Sequence, residues 1–267
     1  MKFLLLSSLL ILSACSSKND TPELPDSLEE AVQESAFRSS ENMKRDKYRH
    51  PLETLEFFGL QSDMTVLEIS PGRGWYMEIL APLLTQEGKY IMAVPVADKP
   101  YFKAMEEAIN TWKEQFPMVK TEKATFSPPH NIQFPKNDSV DMVLTFRNVH
   151  NWLSQSGEKA AFKAFYKVLK PGGVLGVVEH RALPSQEDKF SKNGYMREAD
   201  IMEIAADAGF VLVGTSEINA NSKDTKDHPH GVWSLPPSLK GGEDDKEKYL
   251  SVGESDRMTI KFIKPAR

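Results

Sequence analysis

Several stretches gather residue types that can do chemistry. "FRNVHNW", Phe146 to Trp152, places an arginine, a histidine and two asparagines directly after an apolar run. Histidine is the side chain that ordinarily changes charge near neutral pH, so His150 is a residue type suited to take a proton from an oxygen or nitrogen nucleophile. Arg147 can orient an anionic or carbonyl-bearing molecule, and Asn148 can hydrogen-bond a ligand. The same residues also suit plainer duties: a loop histidine bonded to backbone, or an arginine paired with an acid. "VVEHRA" ends another apolar run with Glu179, His180 and Arg181, for which mutual pairing is the simpler expectation.

The second stretch is "VLEISPGRGWYMEIL", Val66 to Leu80, where an apolar run meets an acid, a proline-glycine turn and an amphipathic run. A turn of this kind between strand and helix aims backbone amides and a helix N-terminus at a ligand. Gly72 and Gly74 lack a Cβ, so a cofactor can lie against the backbone there. A third stretch, "KDTKDHPHGVW", holds Asp224, Asp227, His228 and His230, which are metal-ligand types without a spacing that fixes a geometry. The turn residues around them predict a cap loop, and no metal ligand is assigned. Trp233 and the prolines after Leu235 are candidates for a lid.

These residues need elements to hold them. Ser27 caps a helix in "SLEEAVQESAF", and Pro51 and Gly59 bracket another. Met64–Ile69, Tyr90–Val96 and Ser139–Phe146 are apolar runs of the kind found in strands buried on both faces. Helices are predicted over 75–83, 101–116 and 159–169. Pro171-Gly172-Gly173 stops the last and turns into a strand from Val174 to His180. A helix over 198–208, a strand over 210–218 and a final alternating strand over 257–263 complete the order. Strands alternating with helices give an α/β fold, a doubly wound and mostly parallel seven-stranded sheet whose last strand is antiparallel.

The chain begins "MKFLLLSSLLILSAC", a charged residue, a short apolar segment and small residues before Cys15. "LSAC" resembles the lipobox of bacterial lipoproteins, which makes residues 1–14 a signal peptide and Cys15 a lipidation site. Cys15 is the only cysteine, so no internal disulfide is available. Residues 15–26 read as a polar tether and 27–267 as one large domain. Ser16 after the cysteine resembles the outer-membrane sorting pattern, placing the protein in the bacterial cell envelope, facing the periplasm. The formal charge of −5 argues against nucleic-acid binding. The one basic cluster, Lys44 to His50, reads as a solvated helix face, or else as a patch for lipid headgroups or an anionic ligand.

"VLEISPGRG", "FPKNDSVDMVLTFRNVHNWL" and "LKPGGVLGVVEHRA" together resemble the class I S-adenosylmethionine-dependent methyltransferases, and within them a bacterial group of predicted methyltransferases. The resemblance implies S-adenosylmethionine as cofactor and a Rossmann-like sheet. Glu68, Ser70, Gly72, Gly74 and Phe146 form the cofactor set, and His150, Arg147 and Asn148 the catalytic set. Ser70 stands where that family has its first glycine. The acid that the family places after its second strand is replaced by Val94 and Pro95, with Asp98 late. The acceptor is a small or lipid-like molecule. The alternative is an envelope lipoprotein that keeps the fold as a binding module without the reaction.

Overall fold

The computed structural model describes residues 22–96, 98–187, 192–243 and 245–266. Cys15, the signal peptide and most of the tether lie outside the described residues. One eight-stranded sheet organises the domain, in the order β4-β3-β2-β1-β5-β6-β8-β7. Its strands are β1 (Thr65–Ile69), β2 (Lys89–Val94), β3 (Glu122–Ser127), β4 (Asn131–Gln133), β5 (Val140–Phe146), β6 (Leu169–His180), β7 (Val211–Ser216) and β8 (Arg257–Ile263). β1, β2, β3, β5 and β6 run parallel. β8 is antiparallel to both β6 and β7. The expected doubly wound fold and antiparallel last strand are present, and the three residues of β4 add a strand beyond the seven expected.

The helices are α1 (Leu28–Gln33), α2 (Ser40–Met43), α3 (Asp46–Arg49), α4 (Pro51–Phe58), α5 (Met77–Leu84), α6 (Pro100–Gln115), α7 (Val149–Leu153), α8 (Glu158–Val168), α9 (Glu198–Ala208) and α10 (Lys246–Val252). Local chemistry sets several ends. The Ser27 hydroxyl accepts from the Glu30 amide at the start of α1, and α4 runs from Pro51 to a left-handed Gly59. Helix α8 ends at Val168, before Pro171, because Leu169 already pairs with Val140. Residues 170–173 then bulge out before Val174 resumes pairing opposite Met142.

Alternate strand residues feed two cores on opposite faces of the sheet. Val66, Met142 and Leu144 pack with α1, α4, α5 and α6, whereas Leu67, Ile69 and Val143 pack with α8 and α9. This double burial is why the central strands read as continuous apolar runs. From β1 the chain winds outward through β2 and β3, then crosses back to place β5 on the other side of β1. The sheet therefore has its switch point between β1 and β5, where such folds open a crevice at the strands' carboxyl ends. Because β8 is antiparallel, its first residue reaches that same rim: Arg257 pairs with His180, the last residue of β6.

No helix among the described residues is long and apolar enough to cross a membrane. The backbone is tight where β2 begins. A Cβ on Gly88 would lie 2.5 Å from the carbonyl oxygens of both Ser62 and Met64. Since both obstacles are backbone, Gly88→Ala is expected to lower stability by about 1–3 kcal/mol, measured by denaturant unfolding.

Candidate functional site

A cavity of about 910 Å3 opens over the switch point. One wall is the turn after β1. Glu68 is 2 % exposed and faces the cavity, and the Tyr90 hydroxyl donates to its Oε2 at 2.6 Å. Burial raises the Glu68 carboxyl to about 7, against the opposing pull of that hydrogen bond and of Arg147. Ser70 sits in the left-handed region at φ 51°, which explains a glycine preference there and places strain on the serine. Gly72 lines the cavity, and a Cβ on it would meet nothing within 4 Å, so the backbone here is open to a ligand. Gly74 does not line it. Its φ of +90° and a Cβ position 2.7 Å from the Met77 Cε make it a turn and packing residue.

The opposite wall is the end of β5 and the helix that follows. Phe146 lines the cavity and stacks on Tyr76, with ring centroids 3.6 Å apart. Asn148 Nδ2 donates to the carbonyls of Ile69 at 3.1 Å and Phe146 at 3.2 Å, and so ties the two walls together. Its amide nitrogen is thereby committed to the scaffold. Arg147 adopts φ 60° and lines the cavity without a hydrogen bond or ion pair from its guanidinium among the described residues.

His150 sits in a short helix rather than in a loop. It lies in α7 and is 5 % exposed, yet it lines the cavity. Its Nδ1 is 3.1 Å from Glu179 Oε1, and Glu179 is completely buried at the end of β6. The same carboxylate accepts from the backbone amides of Val149 at 2.7 Å and His180 at 2.8 Å. With Nδ1–H donating to Glu179, the lone pair of His150 is left on Nε2, which has no protein partner among the described residues. Glu179, His180 and Arg181 thus do not pair with one another through their side chains. His180 Nδ1 contacts Ser255 Oγ at 2.5 Å, and Arg181 bonds Asp256, Glu217 and Glu198. Burial, then the neighbouring His150 and the arginines, push the His180 imidazole well below its ordinary value, so it is neutral at pH 7.

The third wall was not foreseen. The basic stretch Lys44 to His50 divides: Lys44 and Lys47 face solvent, while Arg45 and Arg49, one helical turn apart, line the cavity. Arg49 lies over the Trp75 ring at 4.6 Å, and Trp75 Nε1 donates to the Asn42 carbonyl, which docks α2 and α3 on the glycine turn. Both arginines meet Glu254, Arg45 at 2.7 Å and Arg49 at 3.1 Å, and Arg257 bonds the same carboxylate. Burial alone would raise the Glu254 carboxyl, but Arg257, Arg49, Arg45 and Arg147 hold it well below the usual range. The i,i+4 spacing of the two arginines was the available signal, together with "GESDR" just before the last strand.

Trp233, Pro236 and Pro237 line the cavity. Asp224 anchors that cap. Its carboxylate accepts from the Tyr195 hydroxyl at 2.9 Å and the Asp256 amide at 2.8 Å, and contacts His228 Nε2 at 2.9 Å. His150, Glu179 and His180 bring ligand-type atoms within 4.8 Å of one another. Glu179 is already saturated with donors, and the surrounding arginines would repel a cation. A carboxylate–imidazole pair describes the group better.

The missing acid after β2 has a partial answer. Val94 ends the strand and Pro95 and Val96 follow, while Asp98 lines the cavity beside Tyr101 and Phe102. The residues present therefore fit a nucleoside-bearing amino acid: an open glycine, a buried acid and a stretch bearing aromatics and Asp98.

A carboxyl raised by burial carries a stability signature. The folded protein holds the Glu68 proton up to about pH 7, whereas the unfolded chain releases it near 4.5. This group's contribution is therefore full below the unfolded value and is lost as pH rises through 7. Glu68→Gln, which cannot ionise, should melt higher than the wild type at pH 8, by a few kcal/mol, with the gap closing toward pH 5. Thermal melts across that range check it.

Comparison with known proteins comes to the same region. A family model described as "Methyltransferase domain" matches residues 67–177. A search of the curated proteins finds no match. Among solved structures, a SAM-dependent methyltransferase from Aquifex aeolicus superposes with a TM-score of 0.55 at 16 % identity, covering 83 % of this chain and 93 % of that one. A SAM-dependent methyltransferase from Methanosarcina mazei gives 0.53 at 13 %, covering 80 % and 97 %. The cyclase SpnF gives 0.56 at 17 %, covering 88 % and 86 %. The chain has the fold of the class I methyltransferases, and the matched domain runs from within β1 into β6, across the cavity's floor.

Proposed function

We propose that this protein is an S-adenosylmethionine-dependent methyltransferase acting on a small or lipid-like acceptor. The observation that carries the reading is the shared cavity: the open Gly72 turn and buried Glu68 on one side, and the unpartnered His150 Nε2 on the other. When bound, the cofactor supplies a methyl group activated on a sulfonium. Glu68 would hold its amino group, Gly72 would lie against its backbone-like portion, and Asp98 would serve the ribose hydroxyls. Phe146 and Tyr76, stacked between the two walls, exclude water from the reacting centre.

The chain's own chemistry is then positioning and proton removal. Holding acceptor and methyl donor in line supplies much of the rate in a displacement of this type. Nε2 of His150 takes the proton from the acceptor's oxygen or nitrogen, while Glu179 fixes the ring's tautomer and stabilises the imidazolium that forms. The cyclase SpnF shares this architecture, so the binding step is tested first. Calorimetry of the full chain with S-adenosylhomocysteine should show saturable binding, and Gly72→Val should weaken it at least tenfold by filling open space with a side chain. A wild-type protein that binds nothing at millimolar ligand would leave the non-catalytic binding module as the better reading.

The lipobox-like "LSAC" supports a further part of the proposal: Cys15 is lipidated and anchors the enzyme in the bacterial envelope, on the periplasmic side. Cys15→Ala should remain an unprocessed precursor that takes up no labelled fatty acid. Normal labelling of that variant would end the lipoprotein reading.

A further inference from the structure

We propose that the methyl acceptor is an anion whose carboxylate or phosphate group sits on the guanidiniums of Arg147, Arg49 and Arg257, in the cavity that His150 lines. This rests on the methyltransferase reading and names the substrate class for it.

The charges in the cavity do not balance. Arg45, Arg49, Arg147 and Arg257 all line it, and the carboxyl groups that face them are those of Glu254 and Glu68. Glu254 is fully used: Oε1 takes Arg45, and Oε2 takes Arg49 and Arg257. Arg147 receives no side-chain partner among the described residues, and Nε of Arg257 is buried without one. A guanidinium keeps its charge in proteins, so such groups are costly to bury and leave unmatched. The arginines feel this cost: burial and then Arg257 lower Arg147 to about 10, and burial and then Arg147 lower Arg49 well below its ordinary value.

The backbone adds an independent observation. Arg147 holds φ 60°, a left-handed conformation that a long side chain rarely adopts. The amide of Arg147 is fixed by the Val178 carbonyl at 2.7 Å, and Asn148 is fixed by the β1 and β5 carbonyls. The surrounding structure thus enforces a strained backbone that delivers an unpaired cation into the cavity, the pattern expected of a binding group. The cofactor's amino-acid end has a single carboxylate, which offsets only one charge of the excess that four arginines leave over Glu254 and Glu68. The remaining positive charge calls for a second anionic molecule.

The acceptor's role follows with its atoms accounted for. A hydroxyl or amine near the anionic group loses its proton to Nε2 of His150, the acceptor atom gains the methyl carbon, and the carbon–sulfur bond breaks to leave a neutral thioether. A cationic or purely apolar acceptor would leave the arginines unmatched.

The test is calorimetry of the full chain at saturating S-adenosylhomocysteine, titrating inorganic phosphate in one arm and succinate in the other. Saturable binding in at least one arm is expected, weakened tenfold or more in Arg147→Gln. The stronger arm identifies the anionic group. Without ligands, Arg147→Gln should melt higher than the wild type, because an unpaired, half-buried charge has gone. A lower melting temperature would make Arg147 a structural residue and overturn the proposal. So would anion binding that survives the substitution, or no binding in either arm. Phosphate displaced by S-adenosylhomocysteine would assign the arginines to the cofactor's own carboxylate, which also overturns it. Arg147-dependent phosphate binding by a protein that binds no S-adenosylhomocysteine would uphold the anion site and reject methyl transfer.

Discussion

The Glu254 carboxylate is the contact on which the cavity depends. It is 2 % exposed and gathers Arg45 and Arg49 from the N-terminal helices with Arg257 from the last strand. A buried carboxylate is unfavourable by itself, and the guanidiniums around it are unfavourable without it. Each therefore stabilises the other only in the assembled geometry. Asn42 and Trp75 dock the same segment on the glycine turn, so one electrostatic cluster fixes a wall of the site.

Glu179 shows the opposite condition. Its oxygens accept from two backbone amides at 2.8 Å or less and contact the His150 ring, so it is a satisfied acceptor holding a short helix and an imidazole in place. The site thus combines a rigid, fully bonded side and a side with unmatched charge. Fully bonded groups set geometry, and unmatched ones bind.

Much of the fold was legible because burial on both faces writes itself as unbroken apolar runs: β1, β2 and β5 fall within a few residues of their expected bounds. Helix α9 and β8 were read to the residue. β3 and β4 lacked this signal, since "EKATFS" is half polar and β4 is an edge of three residues. The site was less legible. His150 looked like a loop residue because α7 spans a single turn, and its burial depends on Glu179 from another strand. Arg45 and Arg49 lay in a stretch whose composition matches a solvated face. Only their helical spacing separates them from Lys44 and Lys47, and only the fold shows that Glu254, some two hundred positions away, is their partner.

That sequence separation has a consequence for how the domain comes together. The walls formed by α3 and by the residues before β8 meet across 209 positions of chain, so the cavity closes only after the sheet between them exists. It is a late-forming seam, and its excess positive charge loosens it while it is empty. An occupant that neutralises that charge holds both ends of the chain together. The two termini-proximal segments are thereby joined in one buried cluster, and a ligand that binds only the folded form stabilises that junction.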